Sequence, residues 1–106
     1  MSFHRLDDAV ARELVPGFRV RFVHGSTMTA AHWEIDAGSV LPEHAHPHEQ
    51  ISQVVQGRFE LVVGGESRVL EPGLVAVIPG GVPHAGRALT DCRIIDVFHP
   101  VREDYR

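Results

Sequence analysis

The stretch GSVLPEHAHPHEQISQVVQG, residues 38–57, has a glycine at each end with three histidines and a glutamine close together between them. Five residues separate the first glycine from His44, one separates His44 from His46, three separate His46 from Gln50, and six precede the last glycine. On extended backbone, side chains two residues apart project from the same face, so the imidazoles of His44 and His46 can converge on one ion. The run ISQVVQ that follows predicts a strand.

A second stretch, GLVAVIPGGVPH at residues 73–84, has five residues between its first glycine and Pro79, one between Pro79 and Gly81, and two between Gly81 and His84. Together the two spacings are those of the signature motifs of the cupin superfamily, which this chain resembles over residues 28–98. The resemblance implies an all-β fold of the cupin type, the double-stranded β-helix or jelly-roll barrel.

The position of His84 gives a physical reason to expect a closed sheet. His84 follows His44 by 40 residues. It can join His44 and His46 around one ion only if the sheet curls on itself, as the sheet of a small barrel does. The three histidines are therefore candidate metal ligands.

Strands with glycine or proline turns between them recur along most of the chain, which is typical of a sandwich or barrel. The predicted strands are FRVRFV (18–23), MTAAHWEI (28–35), ISQVVQ (51–56), RFELVV (58–63), SRVL (67–70), LVAVIP (74–79) and CRIIDVF (92–98). Before them, LDDAVARELV predicts a short helical N-terminal segment that ends at Pro16. A chain of 106 residues supports one core, so we expect a single domain, 1–106, with a barrel core of about 18–98.

The fourth ligand has three candidates in sequence. Glu49 is chemically the better metal ligand, but only Gln50 keeps the six-residue spacing to the glycine that ends the first motif. Strand parity places Gln50 on the same face as Ser52 and Val54. His48 continues the alternation of the preceding histidines, although Pro47 interrupts the backbone before it, so it is expected at the rim of the site.

Two positions depart from the cupin pattern: Gln50 stands where a glutamate ligand is usual, and Ala88 where the second motif usually ends in asparagine. With Gln50 all four expected ligands are neutral, so the full positive charge of the metal acts on whatever binds. This favours a small anionic substrate. Imidazole and amide ligands suit one divalent transition metal ion, Ni, Zn, Fe, Co or Mn. No organic cofactor is indicated.

The last predicted strand carries an acid on its inner face. The parity that buries Ile94 also turns Asp96 and Phe98 inward. A carboxylate inside a small apolar barrel is costly unless a metal, a hydrogen bond or a substrate meets it. The alternatives are an acid at an open edge or one paired with an arginine. Arg102 either lies in a solvated tail or, if the tail folds over the barrel mouth, grips a carboxylate.

The segments WEIDAG, LPEHAHPHEQ, IPGGVPH and IDVFHPVREDY resemble the KdgF group of small single-domain cupins over nearly the whole chain. In that group three histidines and a glutamine hold the metal, and an aspartate, a phenylalanine and an arginine contribute to catalysis. The matching metal ligands here are His44, His46, Gln50 and His84, and the matching catalytic residues are Asp96, Phe98 and Arg102. The resemblance implies isomerisation of 4,5-unsaturated uronates, the products of pectin and alginate lyases, to their linear keto form.

Two other functions fit the same residues. A site with three histidines and open positions can hold Fe(II) and dioxygen, which is the basis of a dioxygenase or another metal-dependent lyase. A non-catalytic cupin would use the pocket only to bind a small molecule. A requirement for iron and oxygen would distinguish the first alternative from an isomerase.

Composition excludes several classes of partner. The formal net charge of -4 provides no basic face for nucleic acid, and no apolar run approaches the roughly 20 residues of a membrane helix. The single cysteine and the charged N-terminus predict a soluble, cytoplasmic protein. A small barrel exposes sheet edges, so we also expect a homodimer, with the N-terminal strand as an interface or swapped element.

Overall fold

A computed structural model describes residues 1–106 and consists of ten strands and two short 3-10 turns. The strands are β1 (Arg12–Val15), β2 (Phe18–His24), β3 (Thr29–Ile35), β4 (Val40–His44), β5 (Glu49–Gln56), β6 (Phe59–Val63), β7 (Glu66–Leu70), β8 (Val75–Ile78), β9 (His84–Ala88) and β10 (Cys92–His99). They form a six-stranded sheet, β1-β2-β3-β10-β5-β8, and a four-stranded sheet, β4-β9-β6-β7, with every pair antiparallel. The fold is a jelly-roll sandwich, as predicted.

The core lies between the two sheets because apolar side chains alternate along each strand. Phe18, Ile35 and Val54 from the larger sheet pack in one cluster with Phe59 and Leu61 from the smaller sheet. Burial of these side chains removes apolar surface from water, which is the main force that holds the sheets together.

The inner face of β5 and β10 changes from apolar to polar along the strands, and this change positions the site. In the register of the two strands, Ile94 lies opposite Val54, Asp96 opposite Ser52, and Phe98 opposite Gln50. All six side chains are buried. One end of the sandwich interior is therefore apolar, while the other end collects buried polar groups.

The predicted N-terminal helical segment is wrong. Only a single 3-10 turn forms, at Leu6–Asp8, and residues 12–15 form β1 instead. This strand pairs with β2, with Arg12 opposite Val20. A helix of about two turns is marginal in water, so pairing with an existing sheet edge outcompetes it. Neither 3-10 turn has the length or apolar character of a membrane-crossing helix.

Besides β1, two further strands are absent from the sequence prediction: β4, which ends within the histidine stretch, and β9, which begins at His84. Met28, the first residue of a predicted strand, lies just before β3 and is 48% exposed. The glycine that ends the first motif has a structural role, because Gly57 has a φ of 92° and a Cβ there would collide with the carbonyl of Asp91.

Candidate metal centre

Three histidine side chains meet at the polar end of the sandwich. His44 ends β4 and lies directly opposite His84, the first residue of β9, while His46 lies in the loop before β5. The ring centroids of His44 and His84 are 4.3 Å apart, and those of His46 and His84 are 4.9 Å apart. One nitrogen from each of the three rings lies within 4.8 Å of the other two. These three imidazoles could hold a metal ion.

Hydrogen bonds to the backbone set the tautomer of all three rings. Each Nδ1 lies 2.9 to 3.0 Å from the carbonyl oxygen of a residue two positions away in sequence. The three carbonyls belong to Pro42 for His44, His48 for His46, and Val82 for His84. A carbonyl only accepts, so each Nδ1 donates its proton and each Nε2 keeps a lone pair. The Nε2 of His84 is buried with no hydrogen-bond partner, as expected of a nitrogen that binds a cation.

Gln50 lies beside the same cluster. Its side chain is buried, and its Oε1 is 3.1 Å from Nε2 of His46. Because the Nδ1 of His46 carries the proton, Nε2 of His46 and Oε1 of Gln50 are both acceptors, and their contact is repulsive. Either a half-turn of the amide or a cation between the lone pairs relieves this repulsion. The donor set of three neutral imidazoles and an amide oxygen fits a divalent transition metal.

Burial keeps the imidazoles of His46 and His84 neutral. It lowers the pKa of His46 to about 4, and the nearby cation of Arg102 acts in the same direction. Burial also lowers the pKa of His84. Both rings are therefore unprotonated at neutral pH, which is the state that binds metal.

The histidines open into a cavity of about 420 Å³, which is the size of a small-molecule site. Its lining is mainly apolar, with polar groups concentrated at the histidine end. The lining includes Leu14, Val15, Phe18, Trp33, Ile35, Leu41, Phe59, Leu61 and Ile94 on the apolar side, and His44, His46, Gln50, Ser52, His84, Asp96 and Arg102 on the polar side.

Asp96 faces this cavity, as its strand parity predicted. Its Oδ2 accepts a hydrogen bond of 2.9 Å from Nε1 of Trp33, while its Oδ1 is buried with no partner. Burial raises the pKa of Asp96 to about 6, against the opposing effects of Ser52, Gln50, Trp33 and Arg102. The group can therefore exchange a proton close to neutral pH.

The tail after β10 folds back over the cavity. The backbone amide of Arg102 donates to Oγ1 of Thr29 at 2.9 Å, and its guanidinium lies 4.7 Å from the ring centroid of Phe98. The ring of Phe98 in turn lies 5.6 Å from that of His46. The structure thus brings Asp96, Phe98 and Arg102 to the same cavity as the three histidines.

The remaining candidates lie at the margin of the site. Glu49 is exposed on the opposite face of β5 from Gln50. His48 stays outside the cluster of three and contacts it through its carbonyl and a ring 5.5 Å from that of His46. Ala88 is buried opposite Phe59, at the end of β9 remote from the histidines.

Sequence reasoning missed two residues of the tail after Arg102, namely Asp104 and Tyr105. Asp104 pairs with the guanidinium of Arg102, and Tyr105 lines the cavity. The only signal in the sequence is the charged and aromatic run REDY after the last strand. The alternation of side chains within strands predicts nothing about such a segment.

The fold and the site together define a small jelly-roll protein with a three-histidine group that could bind a metal ion. The Cupin_2 family model, described as "Cupin domain", matches residues 31–98. The chain therefore belongs to the cupin superfamily, as the spacing of its two motifs indicated.

Similarity to individual proteins extends over nearly the whole chain. The pectin degradation protein KdgF of Dickeya dadantii is 30% identical over 104 residues, with 93% of each protein covered. The structure of KdgF from a Halomonas species matches with a TM-score of 0.92 and 35% identity, covering 100% of this chain and 99% of that one. An RmlC-like cupin from Shewanella frigidimarina matches with a TM-score of 0.92 and 29% identity, covering 100% and 96%. These matches confirm the resemblance to the KdgF group.

Proposed function

We propose that this cupin is a metal-dependent isomerase that opens the ring of 4,5-unsaturated uronates and yields their linear keto form. The observation that carries the proposal is the arrangement of a carboxyl group, a guanidinium and three imidazoles around one cavity. The similarity to proteins named for pectin degradation supports the substrate class, because pectin is a polymer of uronic acids.

In this proposal His44, His46, His84 and Gln50 hold one divalent transition metal ion. The ion, when bound, polarises an oxygen of the substrate. None of the four ligands carries a negative charge, so the site retains a positive potential that attracts an anionic sugar. The apolar cavity walls exclude water, which strengthens these electrostatic interactions.

The proposed reaction moves one proton and breaks one ring bond. When the anomeric hydroxyl on C1 loses its proton, the bond between C1 and the ring oxygen breaks, which leaves an aldehyde at C1 and an enolate at C5. Return of the proton to C4 gives the C5 ketone. The proton that leaves oxygen returns to carbon, so one acid/base group is sufficient and no co-reactant is consumed.

Asp96 is the proposed acid/base group because it is the only carboxyl group that lines the cavity. Its pKa of about 6 lets it accept and return a proton near neutral pH. Arg102 is proposed to bind the substrate carboxylate, and Phe98 shapes the wall between the guanidinium and His46. Holding the sugar by its carboxylate would orient C1 and C4 toward Asp96.

The direct test is an assay with metal-loaded protein and a 4,5-unsaturated galacturonate prepared with a pectate lyase. The C4–C5 double bond is conjugated to the carboxylate, so its ultraviolet absorbance falls as the ketone forms. We expect protein-dependent loss of absorbance that a chelator removes and added metal restores. A rate no greater than that of spontaneous ring opening would refute the proposal.

Replacing Gln50 with glutamate tests whether this side chain is a ligand. A fourth, anionic ligand should increase the affinity for Mn²⁺, a hard cation, more than the affinity for Zn²⁺. Competition with a chelating dye measures both affinities, and Glu49→Gln is the matched control because its side chain faces outward. Unchanged affinities in the Gln50→Glu protein would exclude residue 50 from the coordination shell.

We also propose a homodimer, supported by apolar side chains on the outer face of the larger sheet. Ile51 lies opposite Val77 in the register of β5 and the edge strand β8, and both side chains are exposed. Within the single chain β1 pairs with β2 at the opposite edge of the same sheet. Sedimentation of the purified protein should give twice the mass of one chain, and a monomer would contradict the proposal.

A further inference from the structure

Arg102 has a buried charge whose surroundings the proposed reaction does not explain. The residue is 5% exposed and lines the cavity, and its backbone amide is fixed by Thr29. A buried guanidinium is stable only when its donors have partners and its charge is balanced. The hydrogen-bond partners of each guanidinium nitrogen therefore show which of its N–H donors are free to bind a ligand.

Asp104 binds one side of the guanidinium. Its Oδ1 accepts from Nε of Arg102 at 3.0 Å and its Oδ2 accepts from Nη2 at 2.7 Å. A guanidinium has five N–H donors, so the two protons of Nη1 and one of Nη2 remain. Nη1 makes no hydrogen bond within the protein, and it remains accessible to solvent. This free end is a second fork that can receive a carboxylate.

Aromatic rings hold the guanidinium in place. Its central carbon lies 4.7 Å from the ring centroid of Phe98 and 4.2 Å from that of Tyr105. Tyr105 stacks on Phe22 with a centroid distance of 4.6 Å, and its carbonyl accepts a hydrogen bond from Arg12. The tail is thus tied to β1 and β2, and the cation has favourable contacts with two ring faces.

We propose that Asp104 is a positioning residue that turns the free end of the Arg102 guanidinium toward the cavity, where it receives the carboxylate of a small anionic ligand. This inference rests on the proposed function for the class of ligand. Asp104 is half exposed, so its carboxylate remains hydrated while it orients the buried cation. A ligand in the cavity reaches the free fork without displacing Asp104, and an arginine already fixed in place loses little conformational freedom on binding.

The test uses zinc-loaded protein, which is diamagnetic, and D-galacturonate, a saturated uronate that the protein cannot isomerise by this route. In nuclear magnetic resonance spectra the Nε–Hε signal of Arg102 should be protected from exchange with solvent. It should remain protected when galacturonate binds, because the pair with Asp104 persists in the complex. Loss of that protection on binding would show that Asp104 competes with the ligand, which would overturn the inference.

Asp104→Asn keeps one oxygen acceptor but loses the charge and the second acceptor, so the protection of the Nε–Hε signal should decrease. Galacturonate should bind about tenfold more weakly, which is the lower end of the effect of outer-shell groups that orient metal ligands. Asp104→Glu should recover part of the affinity. Glu103→Gln is the matched control, since it removes the same charge from the same tail but contacts Arg106 instead. Equal or tighter binding by a folded Asp104→Asn protein would refute the positioning role, as would a wild-type protein that binds no galacturonate.

Binding and activity measurements together distinguish failure of the proposed reaction from failure of the positioning role of Asp104. If galacturonate binding depends on Arg102 and Asp104 but no unsaturated uronate is isomerised, the positioning role stands and the reaction is wrong. If Arg102→Ala binds galacturonate as tightly as wild type does, the arginine does not bind the carboxylate and Asp104 has nothing to position for a ligand. In an assay, Asp104→Asn should raise KM more than it lowers kcat, because the carboxylate is bound in the ground state.

Discussion

His84→Ala is expected to abolish metal binding by the isolated protein. His84 is 2% exposed, and its Nε2 has no protein partner. Groups that merely orient a ligand contribute about 10- to 100-fold to metal affinity, so loss of a ligand should cost more than about 100-fold. Elemental analysis of protein purified without added metal, followed by titration against a chelating dye, measures this loss. Activity on unsaturated uronates should fall with it.

His48→Ala is the matched control for this change. His48 lies next to the cluster, but it contributes only a backbone carbonyl to His46, and alanine retains that carbonyl. Its metal content should therefore equal that of the wild type. A His84→Ala protein that is folded and keeps its metal would disprove the three-histidine centre. Loss of metal in His48→Ala alone would show that the metal binds at the rim of the cavity.

Asp96→Asn should make the protein inactive and more stable at the same time. A positioned acid/base group contributes roughly 10²- to 10⁴-fold to a rate, and the amide can neither accept nor return the proton. Oδ1 of Asp96 is buried without a partner, so the ionised carboxylate is poorly solvated in the metal-free protein. The neutral amide, of nearly the same shape, removes this unfavourable burial of charge.

The gain in stability should depend on pH in a defined way. Burial raises the pKa of Asp96 from its ordinary value of 3.8 to about 6, so protonation of this carboxyl group favours folding, and the effect is fully present only below about pH 4. That contribution is lost as the pH rises through 6. Relative to wild type, metal-free Asp96→Asn should gain nothing at pH 4 and up to about 3 kcal/mol in free energy of unfolding at pH 8.

Chemical denaturation of both metal-free proteins at the two pH values measures the difference. Asp36→Asn provides a contrast, because the ion pair with Arg19 lowers the pKa of the exposed Asp36 carboxyl group. Loss of this ion pair should slightly destabilise the protein above pH 4. An Asp96→Asn protein that is less stable at pH 8, or one that keeps its activity, would contradict the role assigned to this residue.

The relation between sequence and structure is closest within strands. The alternation of β5 and β10 correctly placed Gln50, Asp96 and Phe98 on the inner face. The spacing of glycines, prolines and histidines by itself indicated the cupin fold. These features are local: a residue's face follows from the two-residue period of a strand, and a turn follows from the residues that form it.

The N-terminus and the tail are less predictable because their structure depends on distant parts of the chain. Residues 12–15 have the spacing of a helix but form a strand when β2 offers an edge. Trp33 gives no sign in sequence of its hydrogen bond to Asp96, 63 residues away. The position of Arg102 depends on Thr29 and on the stack of Tyr105 upon Phe22.

The sequence alone therefore determined the class of fold, the kinds of candidate ligand and the face on which each inner side chain lies. Tertiary structure decided which nitrogen of each histidine is free, how deeply Asp96 is buried, and that Asp104 orients a buried arginine. The physical reason is that periodicity and turn chemistry act between neighbours in the chain, whereas hydrogen bonding and desolvation depend on atoms that only strand register and the path of the tail bring together.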